Sequence, residues 1–246
     1  MHLLRRRVQV ADRIARTGKV TADDAAAVRR AIYGGDGQVT DVEADALIAI
    51  EQTRKTFCAE WSSLYVEALT DYVLMQQPPS GYLSEANAEW LQSRIKRRKE
   101  PSPDCDVALV ANIIENASEV PASFSAFALR LVKETVLYSD GVDARGHAHG
   151  AGQVTDADVE MLKRILWGAG SEGLLAVSRE EAEALFAIAD QTTGADNSPA
   201  FEDLFARAIG NYLIGATGRS ATPRDLALRW QTEPEYKISV LATLGK

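Results

Sequence analysis

The chain has 246 residues, of which 46% are hydrophobic and 25% are charged. These proportions exclude a largely disordered chain, a collagen-like repeat and a disulfide-stapled scaffold, and the length suits one or two domains. The net charge of -8 disfavours bulk attraction to nucleic acid and favours attraction to cations.

The cellular location is inferred from the cysteines and from the apolar runs. Cys58 and Cys105 are too few for a disulfide framework and fit a reducing compartment. No apolar run is long enough to span a bilayer. The basic start at Arg5-Arg6-Arg7 is not followed by the apolar core of a signal peptide. We therefore expect a soluble cytoplasmic protein without an integral membrane segment.

Apolar residues recur with the period of an α-helix along most of the chain. In chain order, the first predicted helix runs from Thr21 to Tyr33, and an apolar stripe from Trp61 to Val73 predicts another. In the second part, Thr155 to Trp167 and the stripe from Phe201 to Leu213 show the same period. No window alternates as a half-buried strand does. The sequence therefore predicts an all-α fold of roughly seven to ten helices.

Six predicted helices open with a Ser or Thr that is followed three residues later by a carboxylate or an amide. A hydroxyl at the N-cap accepts a hydrogen bond from the first turn, and the residue three places on can return one to the cap. The pairs are Thr21/Asp24, Thr40/Glu43, Ser84/Asn87, Thr155/Asp158, Ser178/Glu181 and Thr222/Asp225. We predict that each pair marks the start of a helix.

Two proline-containing segments interrupt the helical pattern. Pro78-Pro79-Ser80-Gly81 lies inside the first part of the chain, and Glu100-Pro101-Ser102-Pro103-Asp104 lies between two longer parts. We predict a first helical repeat over 1–100 and a second over 104–246. The patterns leave open whether the two halves share one core.

Several segments of the first half recur in the second, which predicts an internal duplication. Gly18–Thr21 resembles Gly152–Thr155, and Asp45–Ile50 resembles Glu183–Ile188. The apolar stripe of the first half also recurs with unchanged spacing. Its members are Trp61, Leu64, Tyr65, Ala68, Leu69, Tyr72 and Val73, matched by Phe201, Leu204, Phe205, Ala208, Ile209, Tyr212 and Leu213. The fold is therefore expected to be a tandem duplicated helical bundle.

The acidic loop before Thr40 is the first candidate metal site. It resembles the second half of a calcium-binding EF-hand loop, with Gly37 at the turn and Glu43 as the final ligand. Ile32 and Gly34 stand where that loop needs oxygen ligands, so the segment cannot surround calcium by itself. Alternatively, Glu43 caps the helix and Asp36 forms a turn with Gly37.

A His/Gly-rich insertion at 140–153 is the second candidate metal site. Imidazole with nearby carboxylates binds zinc, nickel or copper, whereas the Asp36/Glu43 loop suits calcium or magnesium. The alternative is a glycine-rich surface loop that binds nothing. The ligands considered for a divalent cation in the two loops are Asp36, Glu43, Asp140, Asp143, His147, His149 and Asp158, with Asp156 beside them.

Basic and aromatic residues provide weaker signals. The run Arg94–Lys99 suits either phosphate or lipid binding, together with Arg5-Arg6-Arg7, or a solvated helix end whose dipole it complements. Trp61, Trp90, Trp167 and Trp230 lie in or beside apolar stripes and are expected in the core, as are the matched Tyr72 and Tyr212.

The segment Asp36-Gly37-Gln38-Val39-Thr40-Asp41-Val42-Glu43 resembles the signature of the TerB-like superfamily, best known for tellurite-resistance proteins. Asp140-Gly141 begins a second, interrupted copy in which Asp158 replaces the glutamate. The resemblance covers about 40 residues in each half. It implies an all-α module that associates with metals or proteins in stress responses, with Asp36 and Glu43 near a cation, and it does not imply catalysis.

None of the common nucleotide-binding, hydrolase, zinc-protease or redox motifs occurs in the sequence. We therefore predict a non-enzymatic protein-interaction or scaffold module that binds a protein partner or itself, and that does not bind nucleic acid. One alternative is a metal-binding regulatory protein that uses the acidic loops. The other is an enzyme whose carboxylates meet between the two halves.

Overall fold

The computed structural model describes residues 13–14, 16–34, 37–56, 58–95, 104–138, 141–142, 148–149, 152–168 and 177–217. These residues confirm the predicted all-α class, with nine α-helices in the described ranges. The helices are α1 (Ala22–Tyr33), α2 (Asp41–Thr53), α3 (Ala59–Thr70), α4 (Glu85–Ile95), α5 (Asp104–Asn116), α6 (Ala122–Tyr138), α7 (Asp156–Leu166), α8 (Arg179–Gln191) and α9 (Pro199–Thr217).

Two elements depart from regular α-helix. The helix α3 continues without interruption into a π-helical segment, Asp71–Gln76. After α6, β1 (Gly141–Val142) pairs antiparallel with β2 (Ala148–His149), and Gly141 lies opposite His149. The sequence analysis predicted neither, because a single wide turn and a two-residue pairing are too short to produce a period.

The predicted helix starts are present where the chain is described. Complete capping boxes form at the four pairs Thr21/Asp24, Thr40/Glu43, Thr155/Asp158 and Ser178/Glu181. Ser84 accepts a hydrogen bond from the backbone N–H of Asn87, but the buried side-chain nitrogen of Asn87 bonds to none of the described residues. The sixth pair, Thr222/Asp225, lies outside the described residues. Local sequence therefore fixes where most of these helices begin.

The core is one continuous cluster of buried side chains that extends from Ile14 to Tyr212. The predicted stripe of α3 is buried in full, and that of α9 is buried except for Leu213, which is partly buried. Trp61 is fully buried, Trp90 and Trp167 pack against the cluster, and Trp230 is outside the described ranges. The helix α5 contacts α3, α6 and α7, so it connects elements that the sequence assigned to different halves.

A buried ion pair lies at the end of α2, and a hydrogen bond from Trp61 links it to α3. Glu51 is 1% exposed, and its carboxylate accepts two hydrogen bonds from Arg54, at 2.5 and 2.6 Å. The indole N–H of Trp61 donates a third, at 2.8 Å. Burial alone lowers the pKa of Arg54, but the hydrogen bonds and the charge of Glu51 outweigh it and raise that pKa. Arg54 therefore stays charged inside the fold.

Further polar contacts extend from this pair to α5. The guanidinium of Arg54 donates to Cys105 Sγ at 3.0 Å, and Tyr65 Oη donates to the buried carboxylate of Asp106 at 2.7 Å. Farther along both helices, Asn112 Nδ2 donates to Thr70 Oγ1 at 2.9 Å. The pair Thr70–Asn112 lies farther along both helices than the pair Tyr65–Asp106, so α3 and α5 are parallel.

We predict that Glu51→Gln lowers the free energy of unfolding by about 3 kcal/mol, because the substitution leaves the buried guanidinium of Arg54 without its directly bonded counter-charge. Urea unfolding followed by circular dichroism measures this loss. Glu183→Gln is the matched control, since Glu183 pairs with Arg179 at an exposed site. It should leave stability almost unchanged. Equal losses in the two variants would contradict the role assigned to Glu51.

Candidate functional site

Two of the predicted metal ligands cap helices. Glu43 Oε2 accepts hydrogen bonds from the backbone N–H and the hydroxyl of Thr40, at 3.0 and 2.9 Å. Asp158 Oδ2 accepts the equivalent pair from Thr155, at 2.8 and 2.7 Å. In each case one carboxylate oxygen takes both bonds. The capping interpretation of Glu43 and Asp158 is therefore confirmed, and it leaves the metal prediction untested.

The other predicted ligands fall mainly on undescribed positions. Asp36, Asp140, Asp143 and His147 lie outside the described residues, and only the backbone of His149 is described. Within the described ranges, no three His, Cys, Asp or Glu side chains are grouped so that they could hold a metal ion. A divalent cation in either acidic loop stays a prediction.

The cysteines are poor nucleophiles in this environment. Burial, reinforced by the charge of Glu51, raises the pKa of Cys105 to about 12. Burial likewise raises the pKa of Cys58, whose thiol lies 3.4 Å from Glu60 Oε2. A reactive cysteine needs a lowered pKa, because the thiolate is the attacking form. The described surroundings of both thiols raise the pKa instead.

Of the basic residues in the run Arg94–Lys99, the structure describes only Arg94. Arg94 donates to Asp45 Oδ1 at 2.5 Å, and its guanidinium lies 4.1 Å from the ring centroid of Trp90. The Trp90 ring in turn packs on Tyr72, with 5.2 Å between the centroids. Arg94 therefore joins α4 to α2. Lys96–Lys99 and Arg5-Arg6-Arg7 lie outside the described ranges, so a phosphate or lipid site there stays a prediction.

An open groove of about 570 Å³ lies between α3 and α5. Its size is within the range of pockets that bind ligands. One wall is α3 with its π-helical extension, and the other is α5 with a side chain from α7. The lining residues are Ser62, Ser63, Val66, Glu67, Thr70, Asp71, Met75, Ala108, Asn112, Asn116 and Arg164. The sequence analysis missed this site, because its members come from helices whose pairing the sequence did not reveal.

The polar floor of the groove is satisfied by its own hydrogen bonds. Asn112 donates to Thr70, and Asn116 Nδ2 donates to Asn112 at both the backbone carbonyl (2.8 Å) and the side-chain oxygen (3.3 Å). The side chains of Ser62 and Ala108 are small, so a bound segment can approach the helices closely. Met75, which is 53% exposed, adds an adaptable apolar contact at one end.

Most of the charges at the groove are already paired. The guanidinium of Arg29 binds Glu67 at 2.7 and 2.8 Å, and that of Arg164 binds both carboxylate oxygens of Glu115 at 2.6 Å. Asp71 differs, because its recorded hydrogen bond comes from the neutral amide of Gln76. The groove therefore carries one carboxylate for which the described part of the chain records no cationic partner.

None of the described helices is both long and apolar enough to cross a membrane. No family model, curated protein or solved structure matches the chain. The resemblance to the TerB-like superfamily therefore stays a prediction based on the loop residues alone.

Proposed function

We propose that this protein is a non-enzymatic interaction module that binds a helical segment of a partner protein in the groove between α3 and α5. The observation that carries the proposal is the groove itself: an open depression of about 570 Å³ lined by several small side chains and by an exposed methionine. Recognition of a helix in a groove is a recurrent mode of protein binding.

The shape of the groove favours a helix as its occupant. The lining on α3 extends from Ser62 to Met75, which is about 20 Å at the rise of a helix and equals three to four turns. Both walls are helices, so neither offers a strand edge to an extended peptide. Val66 and Met75 supply apolar contacts for the occupant, while Ser63 and Ala108 leave room for its backbone.

The chemistry of the lining supports binding more than catalysis. The lining set contains neither a histidine nor a cysteine, so its two serines have no adjacent base from those residue types. The deeply buried carboxylates Glu51 and Asp106 do not line the groove. An enzyme that joins carboxylates between the halves requires them to converge on an accessible pocket. The resemblance to TerB-like proteins agrees with a protein-associating module in a stress response, acting in the cytoplasm.

The duplication belongs to this proposal, and the turn before α1 supports it. Gly18 and Gly152 both have a positive φ, and both precede a buried valine and a capping threonine. The N–H of Gly18 donates to the carbonyl of Ile14 at 2.7 Å. The N–H of Gly152 donates to the carbonyl of Val136 at 2.6 Å, although the predicted insertion lies between them. Gly152 therefore makes, after the insertion, the hydrogen bond that corresponds to the one between Gly18 and Ile14.

We expect helical peptides selected on the wild-type protein from a displayed random helical library to bind Met75→Lys or Ser63→Trp at least about tenfold more weakly. The first substitution places a cation on the apolar edge of the groove, and the second places a bulky ring where a small side chain lines it. Peptide affinities are measured by fluorescence anisotropy. A tenfold change corresponds to about 1.4 kcal/mol of binding free energy.

The matched control is Val42→Lys, since Val42 is 78% exposed and does not line the groove. This variant should bind the selected peptides as the wild type does. Failure to select any peptide would contradict the proposed function, and so would equal binding by the groove variants. A dimer that Met75→Lys dissociates in ultracentrifugation would replace the external partner with a second copy of the chain.

We also predict that deletion of residues 140–151 leaves the protein folded. The deletion joins Ser139 to Gly152 and places Gly152 four residues after Val136, the spacing that Gly18 has from Ile14. Circular dichroism should show the helical content expected after the deletion, with cooperative thermal unfolding. Loss of cooperative unfolding would show that the insertion is part of the core and would contradict its assignment as an insertion.

The same deletion tests the metal prediction for the insertion. If zinc binds Asp140, Asp143, His147 and His149, titration of zinc into the metal-free wild type should give a measurable heat of binding. The same titration of the deletion variant should give no heat beyond that of dilution. Asp36→Ala is the corresponding test for calcium at the first loop. Titrations without heat for both metals would contradict metal binding at the two loops, and heat retained in both variants would place the ion elsewhere.

A further inference from the structure

We infer that the groove selects partner helices that carry a lysine or an arginine, and that Asp71 binds this cationic side chain. The inference rests on the proposed function and adds the chemical class of the partner. It starts from the charges at the groove. Arg29 pairs with Glu67, and Arg164 pairs with Glu115. Asp71 also lines the groove, but among the described residues it is bonded to the neutral amide of Gln76 and to no cation.

Asp71 is held in one orientation before any partner binds. Gln76 Nε2 donates to Asp71 Oδ2, while Gln76 Oε1 accepts a hydrogen bond of 2.7 Å from the backbone N–H of Val39. Both ends of the amide are thus in use, and the second carboxylate oxygen, Oδ1, has no recorded donor. A fixed acceptor binds a cation with a smaller loss of conformational entropy than a mobile one. The π-helical segment brings Gln76 back to Asp71 across its wider turn.

The surroundings of Asp71 favour a positive charge over a negative one. Tyr33, the last residue of α1, has a buried hydroxyl that forms no hydrogen bond with any described residue. Burial, together with the charges of Glu67 and Asp71, raises the pKa of Tyr33 to about 12, so the hydroxyl stays neutral. The helix α5 ends at Asn116, which also lines the groove, and a helix C-terminus carries partial negative charge.

Met75 explains why a long basic side chain suits this position. Its exposed thioether lies on the same π-helical segment as Asp71, and both residues line the groove. Lysine and arginine place their aliphatic stems on apolar surface while the charged group reaches a polar partner. The stem can therefore contact Met75 while the cation binds Asp71.

The experiment selects helical peptides from one displayed random library on three forms of the protein: wild type, Asp71→Asn and Asp203→Asn. Asp203 is exposed on α9 and does not line the groove, so its substitution controls for the change in net charge. We expect lysine or arginine to be enriched at one helix position on the wild type and on Asp203→Asn. The enrichment should disappear on Asp71→Asn.

A double-mutant cycle then tests the direct pairing. An enriched peptide and its form with the basic residue replaced by methionine are titrated into wild type and Asp71→Asn. The basic peptide should lose about tenfold in affinity to Asp71→Asn, with a weaker salt dependence, while the methionine peptide loses little. Peptides enriched without a basic position, or equally basic peptides on Asp71→Asn, would overturn this inference but leave helix binding intact. Failure to enrich any peptide on the wild type would instead overturn the proposed function.

Discussion

The buried carboxylate of Glu51 is the group on which the arrangement of α2, α3 and α5 depends. Removing a carboxylate from water costs several kcal/mol, and the cost is offset only if charged and polar donors surround the group. Arg54 and Trp61 supply three donors, all between 2.5 and 2.8 Å. Since Arg54 follows α2 and Trp61 belongs to α3, the two helices cannot slide past each other without removing the indole donor of Trp61 from the buried carboxylate.

The same constraint determines where the groove forms. Arg54 reaches Cys105 at the beginning of α5, and Tyr65 binds Asp106 one position later. These contacts set the register of α5 along α3, and the register places Asn112 beside Thr70 farther along. A different register would separate the small and polar side chains that make up the floor. The buried polar contacts of Glu51 and Asp106 therefore position the groove, although neither residue lines it.

Much of the fold could be predicted from the sequence, because the relevant signals are local. The capping pairs, such as Thr40 with Glu43, act within one helical turn, and the stripe from Trp61 to Val73 records which face of one helix is buried. The capping interpretation of Glu43 and Asp158 was one of two alternatives that their spacing allowed. The candidate ligands of the insertion, including His147, lie outside the described ranges, so the structure leaves that choice open.

The groove could not be predicted, because it depends on contacts between residues far apart in sequence. Glu51 and Asp106 read as ordinary polar positions in a helical pattern, and nothing local marks them as buried. Likewise, Gln76 looks like one of the two ordinary polar residues that precede Pro78. Its function as the group that orients Asp71 follows only from the π-helical turn and from the approach of Val39. Pairings of this kind need a known helix arrangement before residue chemistry can be interpreted.

The proposed binding of a helix assigns affinity and selectivity to different residues of the groove. Asn112 and Asn116 hydrogen-bond to each other and to Thr70, so a partner that covered them would leave few polar groups without hydrogen bonds. Contact with Val66 and Met75 would then contribute favourable apolar burial. Asp71 would have the opposite effect on an apolar partner, since covering a carboxylate without a cation is costly. A groove of this kind accepts a range of helical shapes, and a carboxylate without a bonded cation discriminates among them by charge.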